Sequence, residues 1–145
     1  MAQATHEHTT TDPIFAALAE HKSAVQAFTE AARKQDYNSV FEKDDPRRIA
    51  AEEQYNKTSD AMDDIATRVL DIEPTSTQGV VALLQYMVDH VEEHGAAMGW
   101  PSDLVANEVD PETATLRQVH NAEYFLMKNV VASLKRLSVA GSLPA

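Results

Sequence analysis

The chain has no cysteine among its 145 residues. This absence excludes disulfide bonds, thiolate metal sites and cysteine nucleophiles together. Histidine and carboxylate side chains are then the only strong metal ligands that the sequence offers. Any metal site in this protein would therefore be built from its six histidines and 23 acidic residues.

Basic residues are scarce, with 12 lysines and arginines against 23 aspartates and glutamates, for a formal net charge of -11. A field of this sign repels polyanions, so nucleic acid or an anionic membrane would need a concentrated basic patch for binding. The basic residues near the C-terminus, Lys128, Lys135 and Arg136, indicate the end of a helix rather than a basic stripe. We therefore expect neither nucleic acid nor membrane among the partners.

Long apolar runs are missing as well, since no stretch approaches the roughly 20 residues that span a bilayer. The first residues, MAQATHEHTTT, have neither the basic start nor the apolar segment of a secretory signal. The sequence therefore predicts a cytoplasmic protein. The same segment is polar and has no periodicity, so we expect a disordered tail over residues 1–11 and a single helical-bundle domain over 12–140.

What the sequence does contain is a repeated helix-start signal, an aspartate followed by a proline. An N-cap aspartate accepts hydrogen bonds from free backbone amides, and proline at the first helical position has no amide hydrogen to leave unpaired. The signal occurs at Asp12-Pro13, Asp45-Pro46 and Asp110-Pro111, and Pro74 with the threonines after it marks a fourth start. Apolar residues then recur at steps of three and four, which predicts an all-α protein. We expect an antiparallel bundle of four helices over about residues 12–35, 46–72, 76–98 and 111–138.

The third of these helices carries the densest apolar pattern and the only pair of histidines at helical spacing. His90 and His94 continue a stripe formed by Leu83 and Met87, so both imidazoles lie at the margin of the apolar face. Because of Gly95, the sequence is compatible with two C-terminal ends for this helix. It stops at His94 with Gly95 as a left-handed cap, or it continues to about residue 98.

Helical rise brings this histidine pair level with His120 and Glu123 on an antiparallel fourth helix. Two histidines four residues apart can share one divalent ion, and a carboxylate would complete the shell of a zinc or iron site. The predicted metal ligands are therefore His90, His94, His120 and Glu123. Tyr55 is expected opposite them on the second helix, and His21 a turn or two lower on the first.

Known metal motifs fit this pattern only in part. The Glu-x-x-His pairs of ferritin-like di-iron bundles are absent, and the second helix lacks the histidine of a hemerythrin-like arrangement. The stretch from His90 to His94 matches the inverted zinc-peptidase motif, with Glu93 as the base, but without an obvious third ligand. The alternative is that His21, His90 and His120 are neutral, hydrogen-bonded histidines at the edge of the core, and that His94 interacts with a helix C-terminus.

Three segments carry a resemblance to other proteins: DPIFAALAEHKSAVQAF, PTSTQGVVALLQY and AEYFLMKNVVASLKRL. They resemble a family of small, acidic, uncharacterised helical proteins from alphaproteobacteria, especially rhizobia. The likeness lies in helix and cap patterns rather than in catalytic motifs. The resemblance implies a bacterial helical domain, and since the family has no assigned activity it implies no functional residues.

The function predicted from these features is that of a non-enzymatic soluble protein that acts through protein contacts. Self-association as a homodimer, through the amphipathic first or fourth helix, is one form of that contact. No catalytic or cofactor-binding residue is predicted, because the chain has no glycine-rich phosphate loop and no serine in a nucleophile context. The competing prediction is a histidine and carboxylate metal-binding bundle with an oxygen- or redox-linked role.

Overall fold

The computed structural model describes residues 11–95, 99–100 and 122–141. In these ranges it contains four helices and no strand: α1 (Pro13–Asn38), α2 (Pro46–Asp71), α3 (Thr77–His94) and α4 (Ala122–Val139). The all-α prediction is confirmed. Asp110, the predicted cap of the fourth helix, and residues 1–10 of the predicted tail lie outside the described ranges.

Asp12 and Asp45 cap the first two helices as the sequence predicts. The Asp12 Oδ1 atom accepts a hydrogen bond from the Ile14 amide at 3.1 Å. The Asp45 Oδ1 atom accepts one from the Arg47 amide at 2.9 Å. In each case the proline that follows occupies the first turn, where its missing amide hydrogen leaves no bond unmade.

Asp12 also joins the start of α1 to the start of α3. Its Oδ2 atom accepts hydrogen bonds from the amides of Thr75 and Ser76, both at 2.9 Å, and from the Ser76 hydroxyl at 2.7 Å. Ser76 in turn caps α3 by accepting a hydrogen bond from the Gly79 amide at 2.9 Å. A Cβ atom on Gly79 would collide with the Asp12 carboxylate. One buried carboxylate therefore holds two helix starts together, and it needs a glycine beside it.

Contacts between side chains give the directions of the first three helices. Glu20 on α1 pairs with Arg68 on α2, so the start of α1 lies beside the end of α2 and the two helices run in opposite directions. By contrast, α1 and α3 start together at Asp12 and run in the same direction, since His21 meets Tyr86 further along both helices.

The fourth helix packs beside α2 and α3 and completes the bundle. The Asn129 side-chain amide donates a hydrogen bond to the Leu70 carbonyl at 2.6 Å, near the end of α2. Arg136, further along α4, donates to the Pro74 carbonyl at 2.6 Å and to the Glu73 carboxylate at 2.7 Å. The last turns of α4 therefore lie at the end of the bundle where α1 and α3 begin.

Two helix ends differ from the predictions. The first helix continues to Asn38 rather than ending at residue 35, and the Ser39 amide then donates to the Asp36 carbonyl at 3.2 Å. The third helix ends at His94, so of the two predicted ends the first is confirmed and the extension to about residue 98 is wrong. The cause is Gly95, which takes a φ of 85° while its amide donates to the Val91 carbonyl at 2.9 Å. A positive φ at glycine is a common way for a helix to stop.

The core between the helices is aliphatic, and burying each large side chain contributes roughly 1.5–3 kcal/mol. Its large buried members are Ile14, Leu18, Val69, Leu70, Val80, Leu83, Leu126, Val130 and Leu137. None of the four helices, as far as the structure describes them, combines the length and apolar character needed to cross a bilayer.

Candidate functional site

A group of rings fills the space between α1 and α3, and we call it the His21 cluster: His21, Tyr86, His90, His94 and Trp100. His21 is fully buried at its centre. Its Nε2 atom lies 2.8 Å from the Gly99 carbonyl oxygen, and its Nδ1 atom lies 2.5 Å from the Tyr86 hydroxyl. Because a carbonyl can only accept, Nε2 carries the proton in the neutral ring and Nδ1 accepts from Tyr86. Both ring nitrogens are therefore used inside the protein.

The other rings surround His21 closely. Trp100 stacks on it with ring centroids 4.2 Å apart and planes 19° from parallel. His90 lies 5.5 Å from His21 and 5.6 Å from Trp100 between centroids, and His94 lies 5.1 Å from His90.

Gly99 brings Trp100 to the cluster in a conformation that favours glycine. Its φ is 80°, and a Cβ atom there would lie 2.8 Å from a methyl group of Val25. The backbone can approach α1 this closely only without a side chain. Gly99 therefore permits both the hydrogen bond to His21 and the stacking of the indole.

The cluster shifts the titration of two of its members. Burial lowers the pKa of His21; the Gly99 hydrogen bond opposes this effect, and the proximity of His90 and His94 adds to it. Burial, together with the charge of Glu93, raises the pKa of Tyr86 to about 12. Near neutral pH both groups are therefore uncharged, which agrees with the interpretation of His21 as a neutral, hydrogen-bonded core histidine.

Two depressions adjoin the cluster along α1 and α3. The smaller, of about 50 Å³, is lined by Lys22, Val25, Tyr86, Asp89, His90, Glu93 and His94. The larger, an open groove of about 350 Å³, shares Glu93 and His94 with it and extends to Arg33 and Glu30 on α1. Both depressions contain acidic and basic side chains, with two carboxylates and one lysine or arginine in each.

Of the four predicted metal ligands, the structure describes two side chains, His90 and His94, and these two lie next to each other. His90 is buried, and His94 is the last residue of α3, with its Nε2 atom 3.6 Å from a Glu93 oxygen. His120 lies outside the described residues, and of Glu123 only its place in the first turn of α4 is described. Within the described ranges no three histidine, aspartate or glutamate side chains are placed to share a metal ion.

Tyr86 was missed by the sequence reasoning, which expected Tyr55 opposite the histidines. The Tyr55 ring instead packs on Phe28, with centroids 5.1 Å apart. A signal for Tyr86 was present, because it precedes His90 by four residues, as His90 precedes His94. Residues at this spacing lie on one side of a helix.

A second candidate is a surface, and we call it the α3/α4 face. It consists of two rows of large apolar side chains, each between 37% and 59% exposed. The rows are Val81, Leu84, Val88 and Val91 on α3, and Met127, Val131 and Leu134 on α4. Steps of three and four residues in each row match the seam of a helix that packs against another helix.

Both rows lie on the same outer side of the bundle. On α3, Gly79, Tyr86 and His90 point toward α1, so the helical period turns Val81 and Val88 away from it. On α4, Asn129 and Arg136 reach the end of α2 and the segment after it, and the row is turned away from them. Since α3 and α4 pack side by side, the two rows form one apolar surface.

Comparison of the chain with protein-family models, curated proteins and solved structures gives no match. The resemblance to helical proteins of alphaproteobacteria therefore stays a prediction.

Proposed function

We propose that this protein acts through protein contacts, by self-association through the α3/α4 face. The observation that supports this proposal is the pair of apolar rows, seven large side chains left exposed on adjacent helices. Contiguous apolar surface of this kind is uncommon on monomeric proteins and marks interaction sites. The proposed role is binding rather than catalysis, and the cytoplasmic location expected from the sequence stays a prediction.

The position of the rows favours the fourth helix over the first as the contact helix, and it adds the third. Among the described residues of α1, the exposed large apolar side chains are Phe15 and Tyr37, which lie at opposite ends of the helix. They form no row. Covering a half-exposed valine or leucine contributes about 1 kcal/mol, and association must offset the loss of free movement of two molecules. A continuous surface on two helices can do so more readily than isolated residues.

The substitution Val88→Glu tests the proposal, because it sets a charge in the middle of the face. Light scattering at increasing protein concentration should give a dimer for the wild type. The variant should dissociate at least about 100-fold more readily, since burying an unpaired carboxylate costs several kcal/mol. Ile49→Glu on α2 is the matched control, because Ile49 is also exposed but lies off the face. Equal effects of both substitutions would contradict the proposal.

A metal-binding role is a second candidate, favoured by the pairing of His90 and His94. Their rings lie one above the other at the end of α3, 5.1 Å apart between centroids, and α4 with Glu123 packs beside this helix. Two histidines in this relation can serve as half of a zinc or iron site. The predicted ligands His120 and Glu123 would supply the remainder.

Elemental analysis after dialysis against zinc, iron(II) and manganese tests this second candidate. We expect about one equivalent of one metal, lost in a His94→Ala variant, because removal of a ligand opens the coordination shell. A variant with His6 and His8 replaced by alanine is the control for loose binding by the N-terminal histidines. Less than about a tenth of an equivalent of every metal would exclude the site.

A further inference from the structure

The α3/α4 face has two edges of opposite charge. On α3, Asp89 and Glu92 are exposed beside the apolar row, on the edge nearer α1. Asp89 lines the small pocket together with Lys22 of α1, which fixes the side on which this edge lies. Glu92 follows Val88 by four residues and therefore borders the row itself.

The edge on α4 is basic. Lys128 and Lys135 are exposed there, three residues before and four residues after Val131. Lys128 immediately precedes Asn129, which contacts the end of α2. Lys135 immediately precedes Arg136, which contacts the segment after α2. The helical period therefore sets both lysines on the side of the row away from α3. The face thus has an apolar centre, an acidic edge on α3 and a basic edge on α4.

We infer that the occupant of this face is a second copy of the chain, related by a two-fold axis parallel to the helices, so that α3 of each copy lies on α4 of the other. This inference rests on the proposed self-association and adds its arrangement. A two-fold interface must be complementary to itself. An axis parallel to the helices brings the acidic edge of each copy to the side of the basic edge of the other.

The other two-fold arrangement with aligned helices has its axis across them and lays α3 on α3. It would bring acidic edge to acidic edge and basic edge to basic edge. Like charges that meet across an interface disfavour association, and they do so here on top of the repulsion between two chains of formal charge -11. The arrangement with α3 on α4 is the one that the charges of the face favour.

Charge reversal at the two edges distinguishes these arrangements. One variant carries Asp89→Lys with Glu92→Lys, and the other carries Lys128→Glu with Lys135→Glu. With α3 on α4, each variant alone has edges of like charge and should dissociate at least about 10-fold more readily than the wild type. An equimolar mixture restores opposite charges at both edges and should form a heterodimer about as stable as the wild-type dimer. Sedimentation velocity at low salt measures all three samples.

The opposite arrangement predicts different results. With α3 on α3, each variant alone would associate as the wild type does, and the mixture would associate more tightly than the wild type. Either result would overturn the inference. The net charge of the chain cannot explain the weaker association that we expect for the first variant. This variant is less negative than the wild type, so net charge alone would make it associate more tightly.

The proposed function and its arrangement can fail separately. A wild-type dimer that Val88→Glu disrupts but charge reversal leaves unchanged would overturn the arrangement alone. A monomeric wild type whose free energy of unfolding falls on Val88→Glu would mean that the face is covered within the same chain. That result would overturn both. Circular dichroism confirms for each variant that the helices are retained.

Discussion

His21 shows how a single polar residue can be accommodated in the core of this bundle. Its two nitrogens are satisfied by the Tyr86 hydroxyl and the Gly99 carbonyl, and its ring stacks on Trp100. A neutral imidazole makes both hydrogen bonds. In a doubly protonated ring Nδ1 also carries a proton, so it can no longer accept the hydrogen bond from the Tyr86 hydroxyl. The fold therefore favours the uncharged form.

The stability of the protein should consequently fall as the solution becomes acidic. The pKa of His21 is lowered in the folded state, so the unfolded chain takes up a proton first as the pH falls. The contribution of His21 is present above the ordinary histidine pKa of about 6.5 and is lost below it, by at most about 1.4 kcal/mol per pH unit. Urea unfolding followed by Trp100 fluorescence measures this loss.

The matched variant for this prediction is His21→Gln, whose side chain does not titrate and can still donate to Gly99. Other histidines and carboxylates titrate in both proteins, so the difference between the two isolates His21. We expect a smaller loss of unfolding free energy in the variant between about pH 7.5 and about pH 5.5. The same loss in both proteins would show that His21 is not the group responsible.

At this scale the sequence indicates part of the cluster. Spacing along one helix predicts that His90 and His94 lie together, because helical geometry is local. The partners of His21 come from α3 and from the segment after it, 65 and 78 residues away along the chain. No periodicity in the sequence encodes how two helices are rotated against each other, so Tyr86 and Gly99 were not foreseen.

At the scale of elements, Asp12 has a larger role than an ordinary N-cap. Replacing it by alanine removes four accepted hydrogen bonds, one within α1 and three from Thr75 and Ser76. We expect Asp12→Ala to lower the free energy of unfolding by about 3 kcal/mol, since one buried amide and two partly buried amides are left without their acceptor. Urea unfolding monitored by circular dichroism is the measurement.

Asp45→Ala is the control, because Asp45 caps α2 with the same sequence signal, but among the described residues its side chain accepts hydrogen bonds from Arg47 alone, within the same turn. Its loss should be clearly smaller. Equal losses would mean that the link between α1 and α3 adds nothing to the cap itself.

Helix starts were easier to predict than helix ends for a physical reason. Asp12-Pro13 and Asp45-Pro46 place a hydrogen-bond acceptor and a preset φ at adjacent positions, and both effects act within one turn. The position where a helix ends depends on the conformation that a residue such as Gly95 adopts, and the sequence was compatible with two end positions for α3. The hydrogen bonds from Asp12 to Ser76 join two different helices. The sequence signals therefore predicted where each helix starts, but not that these two starts are hydrogen-bonded to each other.

At the scale of the whole molecule, α3 is apolar on more than one side. Its sequence carries Val80, Leu83, Leu84, Val88 and Val91 at steps that are typical of a helix with an apolar side. The structure buries Val80 and Leu83 but leaves Leu84, Val88 and Val91 exposed. Periodicity shows that a helix has an apolar side, but a broad apolar pattern does not show how much of it the chain's own helices cover. The surplus is the surface that we propose as the contact.

Sedimentation velocity of the wild-type protein over a wide concentration range tests this account most directly. We predict a reversible shift from one chain to two as the concentration rises, because we propose that a second copy covers the apolar rows on α3 and α4. A species of one-chain mass at every concentration would contradict the account.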